Sequence, residues 1–454
     1  MKIVRSSSVW LRWVIGASLS MFFTMPIVNA KSLVAASPLA VPLTVPVFSV
    51  MPMSQYEPAL SRSAAKTLTK VGKLIEKKAY ESALAELTHA LSTEQDAALY
   101  YTKASIALRV NHIQEAQQSL QHALTIHPGF TRAQAMLAWV YTRNERYTEA
   151  RVLLQDVIAV KGDSSTYMML GFGFLQQQNY LAAQSAYQQA LILTSAPAPV
   201  LRGLLQAYLA MDATEMALSV LDNLLAIEST SADLYIVRAQ LAQAQDNIAE
   251  AINSLSIAQT FSQRQDIRWQ LSQLYLQQGL YQSAVEQLSP LLTAKTLPDS
   301  HQLGQMVAYM IANGGESQAH KVITALQNRR DMPLPLTAQL YALEGQLAQQ
   351  KGDMPKAINA YQKSVKLDPT QGRYQLQLAL LTQQTSPIVA EQLFAKAAMD
   401  SNVAVEALTY HAQLLLQSQS YQRALVLLEK AHKLAPNRQG INDNIETVRR
   451  LINL

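Results

Sequence analysis

Three sets of residues in this chain have the types and spacing that chemistry uses. Gly171 and Gly173 flank an aromatic in "LGFGFLQQQNYLAAQSAYQQAL", residues 170–191, and such a pair can belong to a phosphate-cradling loop. Eight histidines, at 89, 112, 122, 127, 301, 320, 411 and 432, offer imidazoles for metals or proton transfer. Glu316 and Asp353 offer carboxylates for general acid–base work. Each set fails on its own terms. A nucleotide loop needs glycines in a strand-to-helix turn and a following lysine, and neither is present. No histidine pair carries the flanking glutamate of a helical zinc site, and His122 and His127, five apart, share a helix face poorly. Glu316 and Asp353 sit in turns before helical patterns, where they read as helix starters. The absence of cysteine excludes disulfides, thiolate metal sites and cysteine nucleophiles. The sequence thus reads as that of a non-enzyme without a cofactor or metal.

What positions Gly171 is a repeat. Ala183 has Tyr187 one turn later, Ala190 a further turn on and Tyr180 just before its helix. The arrangement recurs at Ala83, Ala116, Ala150, Ala217, Ala251, Ala284, Ala319, Ala357, Ala390 and Ala424, at intervals of 33 to 38 residues. Four after each alanine stands a large apolar residue, from Leu87 and Leu120 through Tyr187 and Tyr361 to Leu428. Twelve before stand Ala104, Ala138, Gly171, Ala239, Gly345 and Ala412. Scarce glycine (15) and proline (17) in 454 residues agree with a helical chain.

This pattern resembles the tetratricopeptide repeat, whose period is about 34 residues. "KLDP" at residues 366–369 and "LG" at 170–171 match the family's signature. The resemblance implies an all-α, right-handed α-solenoid of about eleven helix pairs. Gly171 then becomes a contact glycine between paired helices. Leu205, Ser272, Val307 and Leu378 replace the usual small residue, which predicts spread or shifted pairs. Pro387 replaces the usual aromatic in a shortened unit. The domain plan is a signal peptide over 1–30, a Pro-rich linker over 31–61 and a first array over 62–327. An enlarged loop "NRRDMPLPL" over 328–336 follows, read as the break in the stack, then a second array over 337–437. Residues 438–454 form a capping helix, with Ile441, Ile445, Val448 and Ile452 as its apolar stripe.

The signal rests on Lys2, Arg5 and Arg12, an apolar core ending at Met25, and Val28-Asn29-Ala30 as a cleavage pattern. The core is too short to span a bilayer, so membrane attachment comes only from an uncleaved signal. Pro38, Pro42, Pro46 and Pro52 mark the next, uncharged stretch as an extended linker. The reading is an exported, periplasmic protein. Without the first thirty residues the charge is 34 basic against 32 acidic, with no basic stripe, which argues against nucleic acid.

In this family the concave face, lined by the first helix of each unit, carries function. The positions there are Tyr101, Trp139, Met168, Phe172, Arg202, Gln206, Gln240, Trp269, Gln273 and Gln346. The lysine and asparagine set that clamps a C-terminal carboxylate in chaperone-binding members is missing. Aromatics and amides suit an extended peptide, or sugar rings that stack. The expectation is a scaffold binding an envelope protein or peptide, as in pilus, secretion or outer-membrane assemblies. The rival is a periplasmic accessory of exopolysaccharide synthesis or export that contacts the polysaccharide.

Overall fold

The computed structural model describes residues 57–329, 331–438 and 440–453. The export signal and residues 31–56 of the linker lie outside them. Among the described residues no helix is long and apolar enough to cross a membrane.

Twenty-three helices follow one another among the described residues. They begin with α1 (Arg62–Glu76), α2 (Tyr80–Leu91), α3 (Ala97–Arg109), α4 (Ile113–Ile126), α5 (Thr131–Arg143) and α6 (Tyr147–Lys161). Next come α7 (Ser164–Gln176), α8 (Tyr180–Ile192), α9 (Ala198–Ala210), α10 (Thr214–Ile227), α11 (Ala232–Ala244) and α12 (Ile248–Phe261). Then come α13 (Gln265–Gln277), α14 (Tyr281–Leu292), α15 (Ser300–Ala312), α16 (Glu316–Gln327), α17 (Leu334–Gln350) and α18 (Met354–Leu367). The last are α19 (Gly372–Thr382), α20 (Pro387–Ala397), α21 (Ala404–Gln417), α22 (Tyr421–Leu434) and α23 (Ile441–Ile452). Odd and even helices pair as leading and trailing members of eleven hairpins, and α23 closes the series on α22. The fold is an all-α solenoid.

The hairpins are made by one recurring turn. Five residues before the marker alanine the backbone is left-handed, at Lys78, Asn111, Glu145, Gln178, Asp212, Asp246, Gly279, Gly314, Gly352 and Gln419. The next amide then reaches back to a carbonyl five residues earlier, as from His112 to Ala107 at 2.8 Å or from Gly315 to Met310 at 2.7 Å. This bond satisfies an end carbonyl of the leading helix and reverses the chain. The pair containing Ala390 lacks the turn. Its helices α19 and α20 have 11 residues each, and Ser386 instead donates to Thr382 at 2.8 Å ahead of Pro387. Proline suits this position, where no helical N–H is required.

All eleven marker alanines are at most 2% exposed, because they sit where the paired backbones cross. The large residue four later is also buried in every pair. Where that residue is an aromatic ring, glycine can supply the room. A Cβ on Gly171 would stand 3.1 Å from the Tyr187 ring, and one on Gly203 of the next leading helix would overlap it. Tyr187 is thus held between two glycines. A Cβ on Gly345 would come 2.9 Å from the Tyr361 ring. Burial raises the pKa of both phenols.

Among the departures, Val307 separates its pair most. Helices α15 and α16 approach sparsely, and α16 packs equally against α14. Leu205 loosens α9 against α10 more mildly. Ser272 and Leu378 are buried without opening their pairs, so the expected spreading fails there. Ser272 is small itself, and its hydroxyl returns to the Trp269 carbonyl at 2.7 Å. In the capping helix Ile441, Ile445 and Val448 are buried while Asp443, Glu446, Arg449 and Arg450 are exposed.

The described chain divides into two compact units between Ser262 and Gln263. The first holds six hairpins, the second five and the capping helix. The loop at 328–336 lies inside the second unit. Leu326, Leu336 and Leu340 share one core across it, and Arg329 donates to the Leu292 and Ala294 carbonyls at 2.7 and 2.8 Å. Helix α17 begins at Leu334, within the stretch read as loop.

Candidate partner-binding face

In the first unit, leading helices of neighbouring hairpins approach each other, α1 to α3, α5 to α7 and α7 to α9. The register positions fifteen and eleven before the marker alanine fall on these leading helices. Tyr101, Trp139, Met168, Arg202, Gln206 and Gln240, at those positions, are all half-buried. They are seated by packing on one side: Tyr101 and Trp139 rest on the core of the first hairpins, Met168 on that of the next.

Tyr101 of α3 meets two side chains from the start of α5. The Arg132 guanidinium stands 5.1 Å from the centre of the Tyr101 ring, and Phe130 lies 5.0 Å from the same ring. The Arg132 Nη1 donates to both Glu57 carboxylate oxygens, at 3.1 and 3.2 Å. Burial raises the Tyr101 phenol above its ordinary range, against the pull of Arg132. The Arg132 Nε is buried without an acceptor, and so is the Gln206 Oε1 without a donor. One turn on from Trp139, the Arg143 guanidinium lies 5.6 Å from the indole.

Several of the expected face residues are buried or already paired within the chain. Phe172 is 7% exposed because its ring turns edge-on to Tyr147 of the preceding hairpin, 6.3 Å away. Gln273 and Gln346 in the second unit are 1% and 3% exposed, tucked between helices. The Gln273 amide reaches Gln302 at 3.5 Å. Trp269 packs half-buried on the second unit's core. Arg202 pairs within the chain to Glu228, so its charge is already met. Arg132, Phe130 and Glu57 were missed by the sequence reading. Arg132 stands eighteen before Ala150, one turn ahead of the column that holds Tyr101, and the repeat register alone places it on the face.

The residues examined for chemistry take structural roles. Gly171 lies in mid-helix, so no phosphate loop exists there. Asp353 caps α18 by accepting from the Lys356 amide at 3.1 Å, and Glu316 begins α16. His122 stacks on Tyr100 at 5.2 Å. Among the described residues no group of three or more histidines and carboxylates is placed to hold a metal.

Residues 107–170 and 338–371 match tetratricopeptide-repeat family models. No curated protein matches the chain. Among solved structures, PilW, a widely conserved type IV pilus biogenesis factor, is 18% identical over 44% of this chain and 94% of its own, with a TM-score of 0.38. Yeast Tom70 is 13% identical over 86% of this chain and 96% of its own, with a TM-score of 0.34. YrrB, described as having an unusual peptide-binding site, is 18% identical over 40% and 94%, with a TM-score of 0.37. Likeness at this level carries no functional information. The family matches and the repeated hairpin geometry agree: this chain carries tetratricopeptide repeats.

Proposed function

We propose that the inner face of the first unit binds an extended segment of a partner protein, and that the chain serves as an assembly scaffold of a bacterial cell envelope. The observation that carries the binding reading is the row of half-buried aromatics and amides from Tyr101 to Gln240, with a carboxylate already seated on Arg132. That row offers flat apolar area with little side-chain entropy to lose, and amides that can pair with backbone. Partner energy would concentrate at Trp139 and Tyr101. The envelope location rests on the export-type first thirty residues. Such a scaffold would serve pilus, secretion or outer-membrane assembly.

Photocrosslinking in cells tests this. A photoreactive residue at Trp139 should capture one envelope protein, and the same probe at exposed Glu215 on α10 should not. Equal capture at both positions rejects the face. Failure to capture any protein, with specific polysaccharide binding lost in Trp139→Ala, assigns the face to a glycan instead.

A further inference from the structure

We propose that two copies of this chain pair antiparallel through a row of exposed apolar side chains on the first unit, with a two-fold axis at Leu193. The row stands ten residues after successive marker alanines, at the ends of α4, α6, α8, α10 and α12. Its members are Ile126, Val160, Leu193, Ile227 and Phe261, each between 39% and 52% exposed. In the second unit the same column reads Ala294, Arg329, Leu367, Asp400 and Leu434, where charge interrupts it. Each trailing helix of the first unit packs on the next leading helix, so the hairpins follow in order. At about 10 Å per hairpin the row runs roughly 40 Å. Phe261 shows how its members are seated: the ring stacks on Tyr235 at 6.0 Å and leaves its other side in water. The row lies on trailing helices, apart from the leading-helix columns of the inner face, so the two surfaces can be occupied independently.

Area and charge both point to a second copy. With Ile192, 76% exposed beside Leu193, the row leaves roughly 500 Å² of apolar surface in water, as much as a monomer commonly shows in one patch. Two copies would cover about 1,000 Å² of it, and polar flanks would carry the total into the range of about 1,200–2,000 Å² of a specific interface. A two-fold contact must match a surface to its own reverse. Reversed about Leu193, the row sets Val160 against Ile227 and Ile126 against Phe261, apolar against apolar throughout. The next column, His127, Lys161, Thr194, Glu228 and Ser262, reverses to bring Lys161 to Glu228 on both sides of the axis. Lys161 is exposed and makes no ion pair among the described residues. Glu228 receives Arg202 on Oε2 alone, which leaves Oε1 for the lysine. The hairpin on the axis, α7 and α8, carries no charged residue or histidine from Ser164 to Leu201, so nothing there repels its counterpart. A bilayer surface would call for several lysines or arginines along the row, and this column holds one.

Sedimentation of the purified full chain should show a monomer–dimer equilibrium at micromolar concentration. Leu193→Asp should raise its Kd by about ten-fold or more, because two carboxylates then meet at the axis, with helical circular dichroism unchanged. Lys161→Glu should raise Kd less, and adding Glu228→Lys should recover it. The chain has no cysteine, so introduced thiols report the register. Leu193→Cys should oxidise to a disulfide-linked dimer. Val160→Cys and Ile227→Cys should each stay unlinked alone and join when mixed. A chain that remains monomeric, a dimer indifferent to Leu193→Asp, or Val160→Cys linking to its own copy each overturn the proposal. Monomers that instead bind phosphatidylcholine vesicles, or that capture a different protein from position 193, would give the row to another occupant and overturn it as well.

Discussion

The two units apply one repeat to different ends. In residues 57–262 the inner columns carry Tyr101, Trp139, Met168, Arg202, Gln206 and Gln240, all half-buried. In residues 263–453 the same columns carry mostly buried residues, Gln273, Gly304, Ala308, Ala342, Gln346 and Gln375, beside half-buried Trp269 and Thr409 and exposed Gln413; in the first unit Ala135, Phe172 and Ile236 are the buried members. The difference begins with side-chain volume. At Gly304 the Gln339 amide of the next leading helix occupies the space a Cβ would fill, so α15 and α17 close together. The Gln375 amide is likewise spent, donating to the Pro369 carbonyl at 2.7 Å. Small residues at 304, 308 and 342 let these leading helices close together. A glutamine in the register is therefore half-buried at 206 and 240 of the first unit and buried at 273, 346 and 375 of the second.

That contrast can be broken most forcefully through its glycines. Gly203→Val should drive a methyl into Tyr187 and destabilise the first unit by about 3 kcal/mol, with the second unit's urea transition unmoved. Tyr187→Leu, the residue most other hairpins use, should recover much of the loss. A Gly203→Val chain with unchanged transitions would show that the ring is not confined.

Acid should act on the other unit. His411 is 6% exposed and stacks on Phe394 at 6.2 Å, with Glu391 of α20 and Arg423 of α22 beside it. Burial holds its pKa below the ordinary 6.5, Arg423 acts with burial, and Glu391 opposes them. The unfolded chain therefore takes up the proton first, and stability falls as pH drops below 6.5. Urea transitions between pH 7 and pH 5 should show the second unit weakening, and His411→Leu should flatten that contribution. An unchanged slope in the variant would rule out the buried imidazole as its cause.

Smaller effects sharpen the picture. Glu57→Gln should lower the first unit's stability by about 1–2 kcal/mol, because Arg132 loses its charged acceptor. Equal stability would mean the pair is incidental. Gln178→Gly should raise stability by about 0.5–1 kcal/mol, since a left-handed backbone costs a side chain that much or more, and Gly352→Ala should lower it similarly. If neither moves, the turns are not strained at those positions.

The sequence made the fold legible because each rule acts locally. The marker alanine, the large residue four later and the residue five before the alanine are fixed within one hairpin. Gly279, Gly314 and Gly352 announce the left-handed turn, whereas Lys78, Glu145, Gln178 and Gln419 adopt it without a local sign. The face was harder to read. Its columns followed from the register, but the fate of each side chain depends on a neighbouring hairpin. Phe172 turns inward because Tyr147 receives it, and Glu57 finds Arg132 across 75 residues. No periodicity encodes either contact.

Matched photocrosslinkers at Gln240 and Gln413, which stand eleven before Ala251 and Ala424, test the central claim most directly. Gln413 is the more exposed of the two. Access alone would thus favour the second unit. The account predicts adducts with a second protein in cells from Gln240 and none from Gln413. Adducts from Gln413 alone, or from neither position, would contradict it.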